Sequence, residues 1–351
     1  MLINVGFIYL FYATSCFGIN FDFYKTNPSI MKTLKLLFGL VFIAISLNSC
    51  IIETDNYYDG VSLEEVVTNY DLWYVDYNRT TGYGDVPFLS KAFTITFSNG
   101  RVFANNNLVG IGFTGNGYGI QIGTYTTYNG VLEVHHSLDG NYEFEVIADT
   151  PQSIRLRDTY HNVTYYLEGY SSYNFDYDQV FYDNIEYFLQ EYDVWAKTYT
   201  SIEGELNAFD NENYLSFTPE NTRTFYSSLD EEGTLISDLL WDYQGRYEVY
   251  DVNGYDNLKI LTLHYDNGDT EEFELSVLDD SSIELYHNAS GTTYDFDGYG
   301  FIQYRKGAKS PVEQGKKRIK VQRKSVDRKP HLVTQKKEHT AGNLKKVPAR
   351  K

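Results

Sequence analysis

Two histidines occupy matching places in this chain, His136 four residues before Gly140 and His264 four residues before Gly268. An imidazole beside a turn can act as a metal ligand or a general base. Neither has a second His or Cys at ligand spacing, so both read as strand residues at a hairpin. Glu133, Glu143, Glu145, Glu248 and Asp251 are carboxylates of the kind glycosidases pair. Acids are so abundant that any fold would bring some of them together, so no catalytic residue is assigned. Asp266-Asn267-Gly268-Asp269 and Asp251-Val252-Asn253-Gly254 have oxygen-rich tips but lack the closing bidentate Glu of a calcium loop. No metal and no cofactor is expected. The 34 tyrosines say more: beside Asp and Asn, a flat ring can cover a sugar face while a polar neighbour meets its hydroxyls. Tyr118, Tyr125, Tyr128, Tyr243, Tyr247 and Tyr250, in or near the central strands, are the candidate ligand-binding residues. Cross-strand pairing in a half-wet sheet would use the same residues.

These side chains are positioned by a repeated unit. Tyr70-Asp71-Leu72-Trp73 recurs as Tyr192-Asp193-Val194-Trp195, 122 residues later, and Ser153–Tyr170 aligns with Ser282–Tyr299 at a spacing of 129. The chain is a tandem duplication. Within each unit the pattern is of strands and tight turns: Phe93 to Phe97 before Ser98-Asn99-Gly100, then Val131 to His136, Asp139-Gly140 and Tyr142 to Val146. The second unit answers with Leu258 to His264, Asn267-Gly268 and Glu272 to Val277. Positive φ at both turn residues is expected, which Gly accepts and Asn or Asp tolerate. Ahead of each Trp lies a short helical pattern, Leu63, Val66 and Val67 in one unit, and Val180, Phe181, Ile185, Phe188 and Leu189 in the other. These helices are expected to plug or flank barrels.

The formal charge of −19 divides into two regions. Residues 305–351 hold 17 Lys or Arg against Glu313, Asp327 and Glu338, whereas residues 50–304 hold 9 basic and 44 acidic side chains. So acidic a body repels nucleic-acid phosphate and anionic membrane faces. The basic stretch 306–351 lacks apolar periodicity and is expected to be disordered. Its candidate partners are anionic polymers, including lipopolysaccharide phosphates, acidic polysaccharide and released nucleic acid, or the acidic body itself.

Met31-Lys32-Thr33-Leu34-Lys35 followed by the apolar run Leu36 to Leu47 has the layout of a signal peptide, too short for a membrane span of about 20 residues. It ends in Leu47-Asn48-Ser49-Cys50, which resembles the lipobox of bacterial lipoproteins. The resemblance implies lipidation and cleavage at Cys50, and Ile51 after it implies sorting to the outer membrane. Residues 1–30 then read as an upstream extension from a wrongly chosen start. A rival lipobox, Ala13-Thr14-Ser15-Cys16, has no Lys or Arg before it.

A helix, a Trp near the first strand, a Phe-x-x-x-Phe strand ending in Asn-Gly, and the strands Gly123-Thr124-Tyr125 and Gly245-Arg246-Tyr247 together resemble the lipocalin-like domains of bacterial lipoproteins. The implied fold is mainly β: two tandem antiparallel lipocalin-like barrels or sandwiches, over residues 61–176 and 177–305. A signal peptide (31–49), a lipidated Cys with an acidic linker (50–60) and the basic tail (306–351) complete the layout. Asp71 and Asp193 stand where true lipocalins carry the Gly of their Gly-x-Trp. The two-repeat layout is also similar to chains called nicotinate mononucleotide adenylyltransferases. That chemistry needs a His-x-Gly-His phosphate site, and here His135-His136 is adjacent and within a strand. The expected function is non-enzymatic: a lipid-anchored outer-membrane protein, periplasmic or surface-facing, that binds a small amphiphile, a glycan or another envelope protein. The alternatives are an envelope hydrolase working through loop carboxylates and His, the adenylyltransferase, and a purely structural spacer, which would show two filled barrels without a pocket.

Overall fold

The computed structural model describes residues 60–111, 117–218, 223–302 and 317–331. Cys16, Cys50 and the signal-like segment lie outside the described residues. Ser62 opens helix α1 (Leu63–Thr68) with a capping box to Glu65, so the orphan N–H groups of the first turn are satisfied. Eight strands follow, β1 (Leu72–Gly82), β2 (Thr94–Ser98), β3 (Arg101–Asn105), β4 (Ile120–Tyr128), β5 (Val131–His136), β6 (Gly140–Thr150), β7 (Ser153–Asp158) and β8 (Val163–Tyr170). Each pairs antiparallel with the next, and β8 returns to β1 to close a barrel.

Asp176 caps helix α2 (Tyr177–Asp183), which runs into α3 (Ile185–Leu189) and a second barrel. Its strands are β9 (Tyr192–Thr200), β10 (Tyr214–Phe217), β11 (Thr224–Ser228), β12 (Tyr243–Val252), β13 (Tyr255–Tyr265), β14 (Thr270–Asp279), β15 (Ser282–His287) and β16 (Thr293–Phe301). Pairing of β9 with β16 and of β11 with β12 closes it.

The duplication is visible atom by atom. Trp73 Nε1–H donates to Val67 O at 2.8 Å, and Trp195 Nε1–H donates to Leu189 O at 2.8 Å. Each indole thus ties its strand to the helix before it. Tyr70 meets Trp73 edge-on at 5.2 Å, and Tyr192 meets Trp195 at 4.9 Å. Gly169 and Gly298, the repeated glycines of the closing strands, lie flat against those two tyrosine rings, where a Cβ would overlap them. That close approach explains why both positions lack a side chain.

Helix α1 contributes Val67 to the core of the first barrel. The other helices do something the sequence did not foretell. Val180, Phe181, Ile185, Phe188 and Leu189 belong to a core that continues from the second barrel to Leu72, Phe93, Leu108 and Ile111 of the first. Phe93 and Tyr187 meet edge-on at 5.8 Å across this junction. Burial of each such side chain contributes roughly 1.5–3 kcal/mol, so the barrels share apolar stabilisation.

Three expectations change in detail. At Asn99-Gly100 both residues have positive φ, 51° and 69°, as a two-residue turn requires. At Asp139-Gly140 and Asn267-Gly268 only the glycines do, at 99° and 96°. There His136 pairs with Gly140 and His264 with Thr270, so the loops are longer and need one left-handed residue at most. In β2 the threonines Thr94 and Thr96 are buried along with Ile95 and Phe97. Asn105 Nδ2 reaches Thr94 Oγ1 and Thr96 Oγ1 reaches Asp71 O, so the outer face of this strand is covered as well.

The third change is the largest. Within the basic stretch 306–351, expected to be disordered, residues 317–331 form a strap across both barrels, including a short strand β17 (Ser325–Val326) parallel to β12, while 306–316 and 332–351 lie outside the described residues. The strap's basic side chains meet acids of the barrels, Lys317 with Asp85, Arg323 with Glu186 and Asp251, and Arg328 with Glu272.

Candidate functional site

Large rings occupy the barrel interiors. Phe209 lies 4.6 Å from Phe273 and 5.1 Å from Tyr294, and Phe217 lies 5.0 Å from Tyr247, all fully buried in the second barrel. In the first, Trp73, Tyr165 and Phe144 are equally buried. An eight-stranded barrel is just wide enough to be filled by side chains or to hold one small ligand, and here these rings take up that space.

The concave space lies where the barrels meet. A cleft of about 420 Å³ is bounded on one side by Tyr74, Asp76 and Asn78 of β1, and on another by the tip of the β12–β13 hairpin from Asp251 to Asp256. Gln179 and Asp183 of α2, Lys259 of β13 and Val321, Arg323 and Ser325 of the strap complete it. Its polar groups are ordered by one another. Lys259 Nζ stands 2.8 Å from Asp251 Oδ1, while Arg323 Nη1 reaches the same oxygen at 3.5 Å. Gln179 Nε2 donates to Asp183 Oδ1 at 2.8 Å. Burial raises the Asp183 carboxyl above its ordinary range, against the lowering effect of that amide. Tyr74 and Tyr255, both partly buried, contribute aromatic surface to its lining. Carboxylates, amides and rings facing one space can bind a neutral polyhydroxylated ligand through paired hydrogen bonds and ring contact.

The six tyrosines singled out from the sequence are not brought together, and none of them lines this cleft. Tyr118 packs against Phe103 at 5.9 Å. Tyr125 is a core residue whose hydroxyl donates to Glu64 at 2.6 Å. Tyr247 is fully buried and bonded to Gln190. Tyr128 is exposed at the β4–β5 turn, Tyr243 lies 5.9 Å from Tyr265, and Tyr250 donates to Glu248 on its own strand. The sequence placed them in or near the central strands, but which face each would take at a barrel wall depended on closure. Tyr74 and Tyr255, which do line the cleft, carried no separate signal.

The two hairpin histidines have different surroundings. His136 Nδ1 accepts from Asp139 N at 3.0 Å and its ring stacks on Phe88 at 5.4 Å. His264 is exposed, with Nδ1 3.3 Å from Thr270 Oγ1. Of the five carboxylates considered, Asp251 alone lines the cleft. Glu145 binds Arg157, and Glu133 lies 3.7 Å from His135. Among the described residues, no group of three or more His, Cys, Asp or Glu could hold a metal ion.

A different histidine makes the most enzyme-like arrangement. His287 Nε2 lies 2.7 Å from Glu271 Oε2 and its Nδ1 2.8 Å from Ser290 Oγ. An acyl-transfer enzyme would use such a row to activate serine. Here, however, Ser290 Oγ accepts from Thr292 N at 3.2 Å and from Asn207 Nδ2 at 3.0 Å. Both lone pairs are engaged, so the row latches the β15–β16 turn to the 205–210 loop.

A separate polar network is buried in the second barrel. Glu212 accepts from Ser227 and from Tyr265 at 2.8 Å, and burial pushes its carboxyl up to about 7. Lys197 Nζ donates to Asp210 O at 2.9 Å and to Phe209 O at 3.3 Å, and burial brings its ammonium down to about 8. These groups finish one end of the barrel.

Compared with known proteins, the chain matches no protein-family model, and no curated protein matches it.

Proposed function

We propose that the protein is a non-enzymatic, lipid-anchored envelope protein, built of two lipocalin-like barrels, that binds a saccharide in the cleft between them. One observation carries this reading: the cleft of about 420 Å³ presents Asp76, Asn78, Asp183, Asn253 and Asp256 beside Tyr74 and Tyr255. Vicinal hydroxyls need acceptors and donors set side by side, and a pyranose face needs a ring to lie on. The filled barrel interiors support a glycan over an amphiphile, which would require an apolar calyx. Of the carboxylates considered for the hydrolase alternative, Glu145 is held by Arg157 and Asp251 by Lys259.

The test is a screen of neutral oligosaccharides against the whole mature protein by calorimetry, followed by Tyr255→Ala and Asp183→Asn. At least tenfold weaker binding in both variants, at unchanged melting temperature, is expected. Failure of every saccharide, or wild-type affinity in both variants, would reject the reading. The lipobox resemblance is tested separately, because Cys50→Ala should move the protein out of the outer-membrane fraction.

A further inference from the structure

The strap across the barrels has the contacts of a bound peptide. Residues 317–331 carry seven Lys or Arg against Asp327, and they meet acids along most of their path. Lys317 lies 3.1 Å from Asp85. Arg318 is buried at 3 % exposure, with Nη1 donating to Val75 O and Ala92 O at 2.9 Å each and Nη2 to Asn184 Oδ1 at 2.8 Å. Its guanidinium lies 4.5 Å from the Phe93 ring and 5.4 Å from that of Tyr77. Arg323 grips the buried Glu186 through Nη2 at 2.6 Å and Nε at 3.0 Å, and also donates to Asp183 O at 2.8 Å. Farther on, Arg328 pairs with Glu272 at 2.6 Å, and His331 N donates to Glu274 at 2.9 Å.

Main-chain bonds complete the pattern. Arg318 N donates to Ser90 O at 2.7 Å, Asp251 N to Lys324 O at 3.0 Å and Asn253 N to Val326 O at 3.0 Å. Strand β11 covers β12 from Tyr243 to Arg246, leaving the strand edge at Asp251 and Val252 for Ser325 and Val326. Filling an open edge with an extended segment is β-augmentation. Both barrels close through their own strands, without the strap. Residues 303–316, which join Ile302 to the strap, can reach at most about 50 Å. The groove reads side chains and strand edge alone, so the covalent link adds effective concentration rather than recognition.

We infer that the inter-barrel groove is a receptor for an extended arginine-bearing segment, and that residues 317–331 are its built-in occupant, replaceable by the same segment supplied in trans. Val321 walls both the cleft and a smaller cavity lined by Glu186, Tyr187, Gln190, Arg223 and Tyr247. Displacement of the segment would therefore remove a wall from both spaces and uncover Glu186 and Asp251, which Arg323 holds. The groove shares Asp251, Val321, Arg323 and Ser325 with the cleft of the saccharide reading, but its test involves no sugar, so either reading can fail while the other stands.

The experiment uses the full chain with a protease site inserted between Gly307 and Ala308, folded first and then cut. A fluorescent synthetic peptide of residues 317–331 is added in excess, and exchange with the resident segment is followed by anisotropy and native mass spectrometry. The cut protein is expected to bind one peptide, with at least tenfold weaker binding for peptides carrying Arg318→Ala or Arg323→Ala. The uncut protein is expected to bind at least tenfold more weakly than the cut one. Absence of exchange within a day, unfolding on cutting, equal binding of all three peptides, or equal binding to cut and uncut protein would each overturn the inference.

Discussion

Replacing Arg318 with alanine should destabilise the protein by about 3 kcal/mol. Its guanidinium makes three hydrogen bonds of 2.8–2.9 Å to buried oxygens and two ring contacts. A hydrogen bond from a charged donor contributes roughly 1.5–3 kcal/mol, and each ring contact about 0.5–2 kcal/mol. Against the gross sum stands the desolvation of a guanidinium whose acceptors are carbonyl and amide oxygens rather than carboxylates. Water entering the vacated site would also satisfy part of what Val75 O and Ala92 O lose. About a third of the gross gain remains, the size expected when a buried, fully partnered polar side chain is removed. A unit of this size should melt roughly 6–12 °C lower. Arg318→Lys keeps the charge but cannot span three acceptors with one nitrogen, so it should recover less than half the loss. The assay is urea unfolding followed by circular dichroism, with thermal melts alongside. An alanine variant within about 1 kcal/mol of wild type, or a lysine variant equal to it, would refute the account of the strap as fully engaged.

The equivalence of the two Trp–helix bonds predicts that Trp73→Phe and Trp195→Phe each cost about 2 kcal/mol, since each orphans one buried carbonyl; unequal urea midpoints would argue that the two helices do different work. Gly298→Ala should cost about 1–3 kcal/mol because its Cβ would overlap the Tyr192 ring, and an unchanged melting temperature would contradict that packing. Burial pushes Glu191 up to about 8, even though Leu108 N and Val109 N donate to it, and pushes Glu212 up to about 7. Both hold their protons in the folded state at pH values where the unfolded chain has released them. Their contribution is therefore fully present below about pH 4.5 and is lost as pH rises to about 8. The urea midpoint should fall across that window, less steeply in Glu191→Gln and Glu212→Gln; a midpoint that rises would reject the assignment.

The turns were legible because a two- to four-residue loop is governed by its own φ preferences. Asn99-Gly100 adopted the expected conformation, while Asp139-Gly140 and Asn267-Gly268 showed that loop length, set by register, decides how many residues must turn left-handed. The helices ahead of Trp73 and Trp195 were legible from apolar spacing, though the place of α2 and α3 between barrels was not. The strap was illegible for a physical reason. A polar, basic stretch has no periodicity of its own, and its order comes from Val75, Ala92, Asn184, Glu186 and Asp251, which lie far from it in the chain. The cleft was hidden likewise: Asp251 was noted as one acid among many, but nothing local linked it to Tyr74, Asp183 or Arg323.

What the sequence by itself determined is the repeated unit, its antiparallel strands, its helix-to-Trp preface and the opposition of an acidic body to a basic tail. Each of these follows from interactions over a few neighbours, or from charge summed without regard to position. Tertiary structure alone decided that the barrels are filled with rings, that the six chosen tyrosines scatter, and that a cleft forms at the junction. It also decided that Arg318 and Arg323 are held in a groove. Those outcomes depend on groups brought together by barrel closure and by the packing of one barrel on the other, and such long-range encounters leave no periodic trace along the chain.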